Sequence, residues 1–257
     1  MVSEIRETSL RRGVAILEAL ASDAAVRNGG LRVTDLVELV GREKSQISRS
    51  LRTLAELGLV ERDGDGFRHR LSWRFYLLGA HGGRARLVER ASPLLRRLVD
   101  QLGERAHLSV LSGDQVLTLL SESSPHSVQA AGWSGRTVPC WCTASGRALL
   151  FDHDSDSLAV VCGHTDFAGR GPNAPRSAAD LYERIRQARE RGVAVVSNEF
   201  EEGLVAVAAP VRDVDRRLVA VLNVSGPTFR LGRDTDAATE AVIDAANHLT
   251  RALSAQR

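Results

Sequence analysis

The spacing of apolar residues in the first seventy positions predicts three short helices followed by a β-hairpin. The first helix is expected from about Ser9 to Ala21. A second, shorter helix is expected to begin with Thr34 as its N-cap and to break at Gly41. The residues of the first helix expected to face the core are Leu10, Val14, Leu17 and Leu20.

A third helix is expected from about Ser45 to Gly58, and its two faces differ in character. One stripe is apolar at helical spacing, whereas the opposite face is short, polar and cationic. Such a polar face suits hydrogen bonding to base edges and phosphates better than packing, although an ordinary solvated surface is the alternative interpretation. The residues of the apolar stripe are Ile47, Leu51, Leu54 and Leu57.

A basic hairpin is predicted directly after this helix. Leu59-Val60 opens its first strand, and Asp63-Gly64-Asp65-Gly66 supplies a tight turn. A helix followed by a basic hairpin is typical of a winged helix-turn-helix, whose helix enters the major groove of double-stranded DNA. The alternative for the hairpin arginines is exposed charge without a DNA contact. The residues expected to contact DNA are Lys44, Ser45, Gln46, Ser48, Arg49, Arg52, Arg62, Arg68 and Arg70.

Beyond residue 71, the pattern predicts a connecting helix over 72–90 and then a second domain. His81-Gly82-Gly83 should interrupt the connecting helix, because two adjacent glycines cost about 2 kcal/mol in a helix interior. From residue 91 onwards, helices alternate with paired strands, which predicts an α+β fold with one central antiparallel sheet. Helices of this second domain are expected at Pro93–Leu102, Thr143–Phe151, Ser177–Arg191 and Asp234–Ala252.

Length and charge narrow the class of protein. A chain of 257 residues favours two domains over one. No apolar run is long enough to cross a membrane and the N-terminus lacks an apolar signal-peptide core, so a cytoplasmic location is expected. The net charge of only +2 does not by itself indicate a nucleic-acid binder. However, Arg42–Arg52 carries four cations and one acid, and groove binding depends on charge within about 10 Å.

Catalytic chemistry has little support in the sequence. The chain has no Ser nucleophile elbow, no phosphate-binding loop and no His/Glu metal pair at helical spacing. Asp152, Asp154 and Asp156 alternate with His153 in what is expected to be a solvated polar loop. We therefore predict no enzyme activity, no catalytic residues and no cofactor.

Cys140-Trp141-Cys142 is the best candidate for a different chemistry. Together with Cys162, His153 and His164, this segment could bind zinc or sense an oxidant. A zinc site normally needs paired cysteines two to four residues apart, and C-x-C with scattered histidines fits that pattern poorly. Buried small side chains are the favoured interpretation and no metal ligands are predicted, while a thiol- or zinc-sensing regulator using Cys140 and Cys142 stays the alternative.

Several separate stretches, in order, resemble the isocitrate-lyase-regulator (IclR) family of bacterial transcription factors over about residues 8–252. They are KSQISRSLRTLAELGLVERD, GERAHLSVLSGDQVL, TASGRALL, EFEEGLVAVAAPVRD and LNVSGPTFR. The resemblance implies a winged helix-turn-helix over 1–71, a linker helix over 72–90 and a GAF-like effector-binding domain over 91–257. It also implies homodimers that often pair into homotetramers.

The resemblance further implies an effector pocket in the C-terminal domain. In TASGR, the backbone amides of Ala144 and Ser145 would hold a carboxylate, as free N–H groups at a helix N-terminus favour an anion. Where the family commonly has polar side chains, this chain has Val196 and Ala206, which favours an aromatic acid over a small keto acid. The residues expected at the effector are Trp133, Trp141, Thr143, Ala144, Ser145, Val196, Ala206, Asn223 and Ser225.

These expectations combine into one functional hypothesis. The chain is expected to be a ligand-responsive transcriptional regulator, more a repressor than an activator. It should bind a palindromic operator as a dimer or tetramer, and a small organic carboxylate should control that binding.

Overall fold

The structure, a computed structural model, describes residues 8–64, 66–81, 85–123 and 133–255. These residues form two units that divide between Ala85 and Arg86. Among the residues described, no helix is both long and apolar enough to span a lipid bilayer. The exact extent of the linker, residues 72–90, stays a prediction.

The N-terminal unit is a winged helix-turn-helix, as predicted. Its three-stranded antiparallel sheet has the order β1-β3-β2, and the helices pack on one small core. Ile16, Leu36 and Ile47 are fully buried in that core. The elements are α1 (Ser9–Leu20), α2 (Asp23–Arg27), β1 (Leu31–Arg32), α3 (Val33–Val40), α4 (Lys44–Glu56), β2 (Val60–Arg62), β3 (Arg68–Leu71) and α5 (Trp73–His81).

The buried face of α1 is only partly the predicted one, since Leu20 is buried and Leu17 packs against the core. Ile16 and Leu20 are buried, whereas Leu10 is 76% exposed and Val14 is 45% exposed. Val14 lies two residues before Ile16, about 200° around the helix, so the two side chains point to opposite sides. The apolar residues of α1 therefore form two stripes, and only one of them packs within this unit.

Two smaller predictions in this unit are also wrong. Thr34 does not cap the second helix, because α3 already begins at Val33 and the Asp35 carboxylate accepts a hydrogen bond from the Arg32 backbone N–H at 2.8 Å. Leu57 does not continue the buried stripe of α4. It is the C-cap residue and is 54% exposed, so the stripe ends at Leu54.

The C-terminal unit is built on the predicted central antiparallel sheet, which has six strands in the order β6-β5-β4-β9-β8-β7. The helices are α6 (Ala85–Leu102), α7 (Ala144–Leu149), α8 (Ser155–Cys162), α9 (Ala178–Arg191) and α10 (Thr235–Ser254), with a 3₁₀ turn at Leu231–Arg233. The strands are β4 (Arg105–Ser112), β5 (Gln115–Glu122), β6 (Thr137–Pro139), β7 (Ala194–Ser197), β8 (Leu204–Arg212) and β9 (Leu218–Pro227).

The two faces of this sheet have different neighbours. One face packs with α6 and α10 in a large apolar core, and the other packs with α7, α8 and α9. Alternation along β9 places Leu222 and Val224 on the first face and Asn223 and Ser225 on the second. The polar side chains of the strands are therefore presented toward α7.

The helix predicted at Pro93–Leu102 begins eight residues earlier, at Ala85, and continues through Pro93. Leu87 and Ala91 extend the apolar face that α6 buries in the first core. This burial offsets the cost of an internal proline, about 3 kcal/mol. The preceding helix ends at His81, and the two glycines expected to form a hinge, Gly82 and Gly83, lie outside the described residues.

Helix α8 occupies part of the segment expected to be a polar loop. The side chain of Asp154 caps it by accepting a hydrogen bond from the Ser157 backbone N–H at 2.9 Å. Asp152 is also engaged, since it forms an ion pair with Arg212 at 2.7 Å. The aspartates of this segment thus stabilise the local structure.

Candidate functional site

A cavity of about 320 Å³ lies between the second face of the sheet and the N-terminal end of α7. Its floor is formed by side chains from all six strands of the sheet. The strand register places His107 opposite Asn223, Ala206 opposite Ser225, and Val196 opposite Ala206. The cavity therefore crosses the sheet from β6 to β7.

The roof of the cavity is the first turn of α7. The Thr143 hydroxyl accepts a hydrogen bond from the Gly146 N–H at 3.1 Å and donates one to the Pro139 carbonyl at 3.2 Å. The first N–H groups of a helix have no partner within the helix, so those of Ala144 and Ser145 remain available to an anion. Both residues are buried and line the cavity.

Two buried polar atoms in this cavity have no hydrogen-bond partner: Nδ1 of His107 and Oδ1 of Asn223. Burial, with a smaller contribution from the positive charge of Arg105, lowers the pKa of His107 to about 4, so its imidazole is neutral at pH 7. The ring of Trp133 meets the imidazole edge-on, with ring centroids 6.1 Å apart. Unpaired buried polar atoms are costly, and a bound polar group would relieve that cost.

His107 was missed in the sequence-based set of site residues. The signal was present, because His107 and Ser109 are polar residues at alternating positions between the apolar residues Ala106, Leu108 and Val110. Both line the cavity. Polar residues at every second position of a buried strand indicate side chains that face a polar cavity.

The cavity walls combine apolar surface with one ion pair at the rim. Glu104 is almost completely buried and binds the Arg230 guanidinium through two hydrogen bonds of 2.5 and 2.9 Å. Gly226 is required beside this pair, since a Cβ at that position would lie 2.6 Å from the Glu104 carboxyl carbon. The apolar lining residues are Val116, Val138, Val196, Phe200, Leu204 and Ala206.

Most of the residues expected at the effector are brought together in this one cavity. Trp141 is the exception, because its side chain is 6% exposed and packs edge-on against Phe167 in the core beneath α7. The structure thus corrects the expectation that Trp141 covers a ligand. The expected residues that line the cavity are Trp133, Thr143, Ala144, Ser145, Val196, Ala206, Asn223 and Ser225.

The three cysteines are buried, and none of them forms a disulfide. A hydrogen bond with Cys162, together with burial, raises the pKa of Cys140, and burial raises the pKa of Cys142 to about 12. Thiols with a raised pKa are poor nucleophiles and poor metal ligands. Within the described ranges, no cluster of three or more His, Cys, Asp or Glu side chains is arranged to hold a metal ion.

The double substitution of Cys140 and Cys142 by serine is therefore expected to leave the ligand response unchanged. DNA-binding titrations with and without ligand, compared with the unaltered chain, measure this. Loss of the response in the folded variant, or zinc found at one equivalent in the purified protein, would support the thiol- or zinc-sensing alternative.

The outward face of α4 is exposed, as predicted from the sequence. Lys44, Ser45, Arg49 and Arg52 all lie on solvent-accessible surface, and Ser48 is half-buried. The Gln46 side chain is tied to α1, because its Oε1 accepts a hydrogen bond from Arg12 at 3.2 Å. The exposed residues of α4 form a continuous cationic and polar surface with the geometry of a recognition helix.

The three wing arginines differ in their surroundings. Arg62 is exposed. Arg68 donates a hydrogen bond to the Gly30 carbonyl at 3.2 Å, and Arg70 pairs with Glu61 at 2.7 Å. A surface ion pair such as that of Arg70 is weak, so its guanidinium can exchange Glu61 for a phosphate at little cost. Arg68 instead holds the wing to the turn that precedes β1.

A winged helix-turn-helix followed by a second unit that contains a cavity is the arrangement of a ligand-responsive DNA-binding regulator. Comparison with known proteins identifies which kind. A model of the IclR helix-turn-helix domain matches residues 9–64, and a model described as bacterial transcriptional regulator IclR C-terminal matches residues 82–251. The chain belongs to the IclR family, which confirms the resemblance seen in the sequence.

Two relatives match most of the chain. The Pca regulon regulatory protein of Pseudomonas putida is 31% identical over 228 residues, which are 88% of this chain and 76% of that protein. The transcriptional regulator BhcR of Paracoccus denitrificans is 31% identical over 244 residues, which are 94% of this chain and 86% of that protein. The chain is accordingly a transcriptional regulator that binds DNA through its helix-turn-helix, and not an enzyme.

Solved structures confirm the fold. An IclR homolog from Microbacterium hydrocarbonoxydans, complexed with 4-hydroxybenzoate, superposes with a TM-score of 0.77 at 22% identity, over 97% of this chain and 100% of that one. The Thermotoga maritima IclR superposes with a TM-score of 0.71 at 21% identity, over 96% of this chain and 98% of that one.

Because buried His107 is neutral, it is expected to make the free energy of unfolding depend on pH. Between pH 6.5 and 4 the unfolded chain protonates this histidine while the native protein does not. The stability that His107 contributes is therefore complete above pH 6.5 and is lost as the pH falls toward 4, by about 3 kcal/mol at most. Urea unfolding of the unaltered chain and of His107→Gln at pH 7 and pH 4.5 measures it. The difference in free energy of unfolding between the two chains should change between these two pH values. A difference that stays constant would contradict the lowered pKa of His107.

Proposed function

We propose that this regulator is a repressor whose binding to DNA is controlled by a small organic carboxylate with an aromatic body. This ligand binds in the cavity beneath α7. The observation that carries this proposal is that one cavity combines unpartnered buried polar atoms with apolar walls. The N–H groups of Ala144 and Ser145 supply the anion-binding end, while Val196, Leu204 and Phe200 supply surface for a ring.

The size and polarity of the cavity favour this class of ligand. About 320 Å³ accommodates a substituted benzene ring and exceeds what a two- or three-carbon acid fills. The apolar Val196 and Ala206 face each other across β7 and β8 and would leave the polar groups of a small keto acid unpaired. The fold-level neighbour complexed with 4-hydroxybenzoate supports an aromatic acid.

Repression is supported by relationship. The Escherichia coli transcriptional repressor IclR is 26% identical over 253 residues, which are 97% of this chain and 91% of that protein. The ligand would alter DNA binding only if it binds one arrangement of the protein more tightly than another.

We further propose that the chain binds a palindromic operator as a dimer or tetramer. Two copies of α4 would then enter successive major grooves about one helical turn, 34–36 Å, apart. Leu10 and Val14 of α1 and Leu78 of α5, all at least 45% exposed, supply apolar surface of the N-terminal unit for self-association. Light scattering of the full chain, with and without DNA, tests the assembly.

In the proposed complex, base edges are read by α4 and phosphates are bound by the wing and the start of α4. Arg49 and Arg52 project from the exposed side of α4, where an arginine can bind guanine with two hydrogen bonds. Arg62 and Arg70 would contact phosphates and add to the salt dependence of affinity. The remaining proposed contacts are Lys44, Ser45, Gln46, Ser48 and Arg68.

The ligand class is tested by isothermal titration of the full chain with benzoate and with pyruvate at equal ionic strength. Benzoate is expected to bind and pyruvate to bind at least tenfold more weakly, because pyruvate buries much less apolar surface against the cavity walls. Tighter binding of pyruvate would overturn the proposed class. An Ala206→Phe variant, which fills part of the cavity, is the control and is expected to bind benzoate much more weakly.

A further inference from the structure

The polar region of the cavity holds a matched pair of unpartnered atoms on two neighbouring strands. His107 on β4 and Asn223 on β9 are direct partners in the antiparallel register. Their side chains are on the same face of the sheet, and the two residues are only 7% and 9% exposed. The Cβ atoms of directly opposed residues lie about 5 Å apart, so one small group lodged between the two side chains reaches both.

The chemistry of the two atoms defines the group that fits between them. Oδ1 of Asn223 can only accept a hydrogen bond. The buried imidazole of His107 is neutral, because burial and Arg105 lower its pKa to about 4, and it can carry its single proton on Nδ1 as a donor. With the imidazole proton on Nδ1, a group that satisfies both atoms must donate one hydrogen bond to Asn223 and accept another from His107.

A hydroxyl group meets this requirement and the main alternatives do not. A carboxylate has no proton to donate and would place its negative charge against the Asn223 oxygen. A methyl group or a ring C–H would leave both buried atoms unpaired, which costs a factor of about ten to a hundred in affinity. The pair thus selects for a hydroxyl and against a second acid group.

The orientation of His107 is held by an aromatic neighbour in the cavity wall. Trp133 contacts the imidazole edge-on, and the Arg136 guanidinium lies over the Trp133 ring, 5.5 Å from its centroid. A side chain fixed in this way loses little conformational freedom when a ligand binds. The His107 side chain is therefore already oriented before a ligand binds.

We propose that His107 and Asn223 bind a hydroxyl substituent of the effector, which makes the effector a hydroxy-substituted aromatic acid. The carboxylate lies at the amides of Ala144 and Ser145, and the hydroxyl lies between the two strands. This assignment rests on the proposed function, since it adds a second polar contact to the same ligand site.

The test compares isosteric ligands on the intact full chain. Isothermal titration is carried out with 2-, 3- and 4-hydroxybenzoate and with the 2-, 3- and 4-methylbenzoates, in which a methyl replaces the hydroxyl. At least one hydroxy isomer is expected to bind tenfold to a hundredfold more tightly than its methyl counterpart. This comparison needs no variant, so it does not depend on how a substitution affects folding.

Variants then locate the contact. In Asn223→Leu and His107→Phe, the preference for hydroxyl over methyl is expected to shrink to less than about threefold, mainly through weaker binding of the hydroxy acid. Thr228→Val is the matched control, because Thr228 Oγ1 is also buried and unpartnered but does not line the cavity. This control should keep the full preference, as a structural defect alone does not change the ratio between two isosteric ligands.

The outcomes separate the two proposals. If the methylbenzoates and hydroxybenzoates bind equally well, the proposed function stands and the hydroxyl contact is wrong. If the preference exists but survives in both cavity variants, the hydroxyl is bound elsewhere and the assignment to His107 and Asn223 is overturned. If none of the six acids binds, both the aromatic-acid class and the hydroxyl contact fail.

Discussion

Replacing Arg49 with alanine is expected to weaken operator binding by about tenfold to a hundredfold for each half-site, since a two-hydrogen-bond contact to guanine contributes about 1–3 kcal/mol. Arg49 lies on the exposed side of α4, away from the buried Ile47, Leu51 and Leu54. Its removal therefore leaves the packing of the N-terminal unit intact. Fluorescence anisotropy with a duplex selected by the protein from a random library measures the effect.

Arg97→Ala is the matched control for this substitution, because Arg97 is also an exposed helical arginine but belongs to the C-terminal unit. It should bind the selected duplex as the unaltered chain does. Ligand affinity should be the same in both variants. Unchanged operator affinity in Arg49→Ala would refute the assignment of α4 as the recognition helix.

Replacing Gly146 with alanine is expected to destabilise the C-terminal unit by about 3 kcal/mol or more. A Cβ at this position would overlap the backbone carbonyl of Cys140, so the segment before α7 would have to move. The overlap is with backbone rather than with the end of a flexible side chain, which leaves no inexpensive relaxation. The glycine of TASGR thus allows the first turn of α7 to lie directly against the backbone of Cys140.

Gly13→Ala is the corresponding control. A Cβ at Gly13 would meet no atom within 4 Å, and Gly13 lies inside α1, where alanine is the better helix former by about 1 kcal/mol. Thermal and urea unfolding should show a loss of stability in Gly146→Ala and a small gain in Gly13→Ala. Equal stability of the two variants would mean that the close approach of Cys140 and α7 is not rigid.

The sequence was most informative where periodicity and a fixed structural role coincide. The stripe of Ile47, Leu51 and Leu54 predicted both the position of α4 and its exposed polar face. Alternation placed Asn223 and Ser225 on one side of β9, which the cavity confirms. In α4 and β9, the spacing of apolar residues predicts both the secondary structure and which side chains face away from the apolar core.

The sequence failed where a choice depends on tertiary packing. In α1, two apolar stripes compete, and only contact with the other helices selects Ile16 and Leu20 over Leu10 and Val14. Trp141 lies two residues before the α7 roof, but the direction of its side chain is set by Phe167, far along the chain. His107 joins the cavity only because β4 pairs with β9, a pairing between residues more than a hundred positions apart.

The most direct test of the account is the operator affinity of the full chain measured at increasing concentrations of a hydroxybenzoate that binds by calorimetry. The DNA dissociation constant is expected to change by about fivefold or more, within the usual range of coupling between two sites. The same titration with Asn223→Leu, at ligand concentrations that saturate the unaltered chain, should show little change. Operator affinity that stays constant while the ligand demonstrably occupies the cavity would contradict the account.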